Sequence, residues 1–344
     1  MDLLFGLLGL WLAAGTVIGS CARVEASVFT PYQVTFYGAT FAGALILAAF
    51  VRRGKALGFT GIDTLPAAYH SALWGAPLAF AGGACDFALH HFRGVENGVE
   101  PLLGPAHLVV GLGFLLLLSP PIRSALAARP ALATLRSQLP LLFGLAAWLE
   151  FLHLATAFAF DPGAARVYVP PGANGFRPDY FLDTTLSLYK SGFGLMIVIV
   201  QTLILMGVAV WAVTRFALRP GALPILFVLG NGMIAVGLFG GTPIAATYFA
   251  MSVAAGLVGD ALVARSRPFP LRTPALYAFG GLVPATYFGT YFAMTAATGG
   301  IWWSFTLALG ATVWSAICGL AIVLLVASTS GSMRPAALRR SGLP

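Results

Sequence analysis

Residues 85–107, CDFALHHFRGVENGVEPLLGPAH, hold His90, His91 and His107, three of the chain's five histidines, with Asp86, Glu96 and Glu100, three of its eleven carboxylates. Asp86 and His90 stand four apart. On a helix that spacing puts them on one face with Cβ atoms about 6 Å apart, where one cation bridges both. His107 follows a turn-forming stretch of Gly and Asn, in the first turn of a helix opened by Pro101 and Pro105. Farther along, WLEFLHL sets Glu150 and His153 three apart, again on one helical face. Two carboxylate and imidazole pairs plus one more imidazole make an oxygen and nitrogen donor set without thiolate. Such a set suits a divalent transition metal, whether copper, iron, zinc or manganese, and does not choose among them. Glu-x-x-His is also the spacing from which helix bundles build carboxylate-bridged metal sites, and EFLH supplies one copy.

Helices must position these residues, and composition says in what solvent. The 344 residues are 59% hydrophobic and 9% charged, with a mean hydropathy of +0.89, outside the range of soluble globular domains. The expected fold is an all-α polytopic transmembrane helix bundle whose first partner is the lipid bilayer. A span needs about 20 mostly apolar residues. Ten stretches meet that length, near 3–22, 33–51, 66–91, 105–122, 139–160, 184–214, 220–240, 243–264, 273–297 and 302–327. Asp2 stands where a cleaved signal peptide needs a basic segment, so the first stretch reads as a retained span. Cys21, Cys85 and Cys318 show no CxxC spacing and read as small packing residues.

A pI near 9.8 in a soluble chain would suggest nucleic acid. Here the basic residues follow topology instead, and no nucleic-acid partner is expected. Fourteen of nineteen Lys and Arg fall on one face of the ten spans: Arg52, Arg53 and Lys55; Arg123, Arg129 and Arg136; Arg215 and Arg219; Arg265, Arg267 and Arg272; Arg334, Arg339 and Arg340. The positive-inside rule then puts both termini in the cytoplasm. The domain plan is one transmembrane domain over 1–330 and a short basic cytoplasmic tail over 331–344. Glu25, Glu96, Glu100, Asp161, Asp179 and Asp183 fall on the opposite side, so residues 85–107 face outward. The strings TYFAMS at Thr247 and TYFAMT at Thr290, with Trp302 and Trp303, read as an outer aromatic belt at headgroup level. The loop carrying Asp161, Arg166, Arg177, Asp179 and Asp183 reads as solvated rather than as a lid.

An ionisable side chain within a span costs roughly 2.5–3.5 kcal/mol on insertion scales, so Asp86 and Glu150 must pair, bind something or stay protonated. Taken singly, each histidine reads as a hydrogen-bonded interior residue, and Asp86 with His90 as polar glue between helices. Taken together, five such groups at one depth point to a shared site built by the third, fourth and fifth spans on the extracytoplasmic side. Asp86, His90, His107 and His153 are its expected metal ligands and Glu150 its catalytic, proton-moving carboxylate. His91, Glu96 and Glu100 are solvated loop residues or an outer layer around the ligands. His70 lies about 30 Å of helix from His90 and is excluded.

Over residues 74–108, WGAPLAFAGGACDFALHHFRGVENGVEPLLGPAHL, the chain resembles a group of uncharacterised bacterial integral membrane proteins with an Asp-x3-His, Glu-x3-Glu and Pro-x-His pattern. That resemblance implies a multi-pass protein of the bacterial inner membrane and no particular activity. Asp86, His90 and His107 are also similar in order to the Asp/His/His copper site in the C subunit of copper membrane monooxygenases, which implies copper. The second gap is longer here and the spans more numerous.

Three functions fit this reading. The first is a metal-dependent membrane enzyme, an oxidoreductase or hydrolase acting on a small lipophilic substrate. The second is a proton- or cation-coupled secondary transporter, in which FAGGACDFAL against VAAGLVGDAL aligns Asp86 with Asp260 in a five-plus-five inverted repeat. The third is a non-catalytic subunit that holds metal for a partner or within an oligomer. No GxSxG, HExxH, Walker A or dinucleotide motif is present, so serine hydrolase, zincin, ATPase and nicotinamide chemistry lack support.

Overall fold

The computed structural model describes residues 1–21, 31–94, 104–128, 133–156, 184–239, 243–266, 269, 271, 273–298, 300–301 and 303–332. Residues 161–183, Glu96, Glu100, Trp302 and residues 333–344 lie outside the described residues, as does the side chain of His90.

Continuous apolar runs of about 20 residues without polar periodicity form helices, because in lipid every backbone N–H and C=O must be satisfied within its own segment. The described residues form α1 (Asp2–Cys21), α2 (Pro31–Ala56), α3 (His70–Arg93), α4 (Pro105–Leu118), α5 (Pro120–Ala127), α6 (Leu135–Ala155), α7 (Thr184–Arg215), α8 (Ala222–Phe239), α9 (Pro243–Arg265), α10 (Thr273–Ala297) and α11 (Phe305–Ser332). Each of the ten apolar stretches carries a helix, and two short 3-10 turns, Gly61–Thr64 and Ala67–Tyr69, lead into α3. At Ser119 the chain breaks α4 from α5, since Pro120 and Pro121 lack the N–H groups that would continue the ladder. Among the described residues, six helical segments are long and apolar enough to cross a membrane: Ala67–Leu89, Pro105–Ala127, Leu135–Ala155, Leu188–Arg215, Ile244–Arg265 and Phe305–Ala327. In the last of these only 22% of the apolar window is buried, so its free face suits lipid contact.

Two apolar clusters divide the interior. One joins α1–α4 through residues such as Phe5, Leu12, Leu47 and Phe114. The other joins α5–α11 through Leu142, Val210, Phe227 and Phe279. The helix α6 serves both, with Ala147 in the first cluster and Leu149 in the second. Between helices in lipid the packing is van der Waals contact, which rewards small residues at crossings. A Cβ on Gly82 would lie 2.7 Å from Val110 N, and one on Gly113 would lie 2.5 Å from Ala79 N, so α3 and α4 touch backbone to backbone.

Two expectations need correction. Tyr248 and Tyr291 are 1% and 0% exposed, and their rings meet edge to face at 6.1 Å. The two TYF strings therefore line the inner contact of α9 with α10 instead of an outer belt, and Trp303 stacks on Phe292 at 5.7 Å in the same interior. Tyrosine carries a large ring with one polar tip, which fills a polar helix interface as well as it fills a headgroup layer. Cys85 is exposed on α3 rather than packed, and Cys318 is partly buried on α11; both are free thiols.

Candidate functional site

The close crossing of α3 and α4 builds the first half of the site. Gly75, Ala79, Gly82 and Asp86 follow one another at helical spacing along the face of α3 that meets α4. With glycine at the crossing, the first turn of α4 settles against the last turns of α3. His107 Nδ1 then lies 3.2 Å from Asp86 Oδ1, with the two side chains 32% and 17% exposed. The third contributor at this level is one that spacing arguments missed. Tyr37 of α2 places its hydroxyl 3.1 Å from the position of a Cβ on Gly83, within electrostatic reach of Asp86. Only its register, one residue before the small Gly38 on a span, could have pointed to it. His91 is exposed and turned aside, its ring 5.4 Å from that of Phe92.

The second half is separate. Thr134 and Ser137 cap the start of α6 reciprocally. Near its other end Phe151 faces α4, its ring 6.5 Å from that of Phe114 and pressed against Gly111. His153 comes two residues later, about 200° around the helix, and so points to the opposite side. There its Nδ1 lies 3.3 Å from the carbonyl oxygen of Gly230 on α8. Leu149, one turn before His153, packs on the same Gly230. Glu150 and His153 are 2% and 0% exposed. Neither carboxylate oxygen of Glu150 has a hydrogen-bond partner among the described groups. The amide of Asn231, next to Gly230, is likewise fully buried with neither end hydrogen-bonded.

Asp86 and His107 are thus brought together, while His153 turns away from them to Gly230 of α8 and Glu150 is buried on α6 about 100° around the helix from Phe151. Among the described residues no three His, Cys, Asp or Glu side chains group as metal ligands would. One cage holding Asp86, His107, Glu150 and His153 is therefore not what these helices build. The reason is the turn angle of α6, which sends residues 151 and 153 to opposite neighbours.

Further polar groups are buried among α7–α11. Gln201 on α7, Ser252 on α9, Tyr287 and Tyr291 on α10 and Ser315 on α11 are all buried, with the Ser252 hydroxyl beside the Tyr287 phenol. Asp260 has a different task. Its carboxylate accepts hydrogen bonds from the backbone N–H groups of Gly221 and Leu223, where α8 begins. The alignment of Asp86 with Asp260 thus pairs an imidazole-facing carboxylate with a helix cap. No protein-family model, curated protein or solved structure matches the chain.

Proposed function

We propose that this chain is a proton-coupled secondary transporter of ten spans in the bacterial inner membrane, both termini cytoplasmic, with Glu150 as the group that takes up and releases the proton. The observation that carries the reading is the Glu150 carboxyl, 2% exposed and without a hydrogen-bond partner among the described groups. A bare carboxylate there would be one of the most costly groups in the bundle. It persists because it is carried neutral, with a proton that can leave when the path to water opens. His153 stands one turn closer to the end of α6, itself about 8 Å from Glu150 along the axis. To bond the Gly230 carbonyl, Nδ1 must hold the ring's proton as donor, which makes Nε2 the basic nitrogen. A proton arriving at Nε2 gives a transient imidazolium, which hands it to Glu150, three residues away on the same face. The buried amide and hydroxyls of Asn231, Ser252 and Tyr287 supply the polar interior that a hydrophilic cargo needs on its way through α7–α11.

The test uses the purified full chain in liposomes containing a pH-sensitive dye. With a small-molecule bacterial extract outside to supply the cargo, wild type collapses an imposed pH gradient faster than protein-free liposomes do, and Glu150→Gln, which keeps shape but cannot ionise, returns to the protein-free rate. Gradient decay in Glu150→Gln as fast as in wild type contradicts the reading.

A second reading has its own observation. The contact of Asp86 with His107 supplies an oxygen and a nitrogen donor for a divalent transition metal at the outer side. In that reading a metal-dependent enzyme works at the α3 and α4 crossing without Glu150, which among the described residues does not group with Asp86 and His107 as a metal ligand would.

A further inference from the structure

Away from both pairs, the ends of α7 and α9 enclose a cavity of about 470 Å³. Its walls are apolar, including Val213, Phe216, Leu218, Val263, Phe269 and Leu271, with one cation among them, Arg219. Arg215 and Arg265 close the two span-length helices, so the cavity lies just past their last turns, at the depth of a lipid headgroup. The loop that carries Arg219 is held from both sides by Gln138 of α6. The Gln138 Nε2 donates to the carbonyl of Ala217 at 3.0 Å and its Oε1 accepts from the backbone N–H of Arg219 at 3.0 Å. Gln138 is 1% exposed, so the clamp is an interior one and the Arg219 backbone is fixed before anything binds. The Nε of Arg219 is buried and has no hydrogen-bond partner among the described groups.

A guanidinium donor left unused at the rim of an apolar hollow calls for a ligand with an anionic head and an oily body. The carbonyl ends of α7 and α9 converge here and would repel an anion, but Arg215 and Arg265 in their last turns offset that field. We infer that this cavity binds an anionic phospholipid, its phosphate on the Arg219 guanidinium and an acyl chain along Phe216, Leu218, Phe269 and Leu271. Basic hollows between spans at the membrane surface recognise acidic headgroups in this way. Free phosphate shares the headgroup chemistry and has no use for the apolar wall, so the two sources give different results. The inference does not depend on Glu150.

The experiment is a native mass-spectrometric titration of the detergent-purified full chain with phosphatidylglycerol, phosphatidylcholine and inorganic phosphate in separate arms. Phosphatidylglycerol binds, and phosphatidylcholine and phosphate bind at least tenfold more weakly. Arg219→Gln weakens phosphatidylglycerol about tenfold or more, as loss of a charge-assisted hydrogen bond should, whereas Arg219→Lys retains part of the binding. Ser266→Phe, which fills the cavity and leaves Arg219 in place, gives the same loss and serves if the glutamine variant does not fold. Arg52→Gln with Arg53→Gln, at an exposed basic pair elsewhere, leaves binding unchanged. Equal binding of phosphatidylcholine or inorganic phosphate in wild type overturns the proposal, as does wild-type affinity in a folded Arg219→Gln or Ser266→Phe variant.

Discussion

The crossing of α3 with α4 and the contact of α6 with α8 carry the same chemistry, a carboxylate and an imidazole, in opposite surroundings. At the first, Asp86 and His107 touch each other and keep 17% and 32% of their surface open. At the second, Glu150 and His153 are shut in, and the imidazole turns to a backbone carbonyl. Exposure separates their roles. A partly open pair can exchange with water and accept a metal ion at small cost, while an enclosed carboxyl without a partner among the described groups costs stability that a function would explain.

Three variants break or sharpen this contrast. The largest effect is expected at the crossing of α3 with α4. Gly113→Val drives a branched side chain into the backbone at Ala79 and should cost about 3 kcal/mol, the upper end for overpacking. Unfolding in mixed micelles measures it, and Asp86 and His107 part while the Glu150 pocket stays intact. Next comes Glu150→Leu. Removing a buried acid that lacks partners should raise stability by about 1–3 kcal/mol while abolishing proton flux. A loss of stability there would mean that the carboxyl is bonded after all and the contrast is false. The smallest effect belongs to Asp86→Ala with His107→Ala. As a partly exposed pair they should cost about 1 kcal/mol or less, and metal analysis beside wild type shows whether they hold an ion. Equal and negligible metal in both removes the metal-enzyme reading.

Much of the fold was legible because lipid leaves the chain few choices. Uninterrupted apolar runs favour helices, so each of the ten stretches carries a described helix, as at 184–214 against Thr184–Arg215, and six of the described segments have the length and composition of a span. Partnership between helices was harder to read. Asp86 and His107 come from consecutive helices, and the glycines at 75, 82 and 113 that let those helices touch stand in the sequence as a small-residue row. The failure lay in treating equal depth as equal position. Span lengths put Glu150 and His153 near the level of Asp86 in the sequence reading, yet Phe151 occupies the side of α6 that meets α4, and a half turn of helix carries His153 away. No periodicity could reveal this, because α6 is apolar on every face and each face has its own neighbour. Tyr248 and Tyr291 were misplaced for a related reason, since the amphipathic ring suits a headgroup layer and a polar interior equally.

The most direct test of the central claim is an infrared difference spectrum of the reconstituted protein across a pH jump, in light and heavy water. A protonated-carboxyl C=O stretch that shifts in heavy water, is present in wild type and is missing in Glu150→Gln is the predicted result. A wild-type spectrum without that band, or a band that survives in Glu150→Gln, would contradict the account.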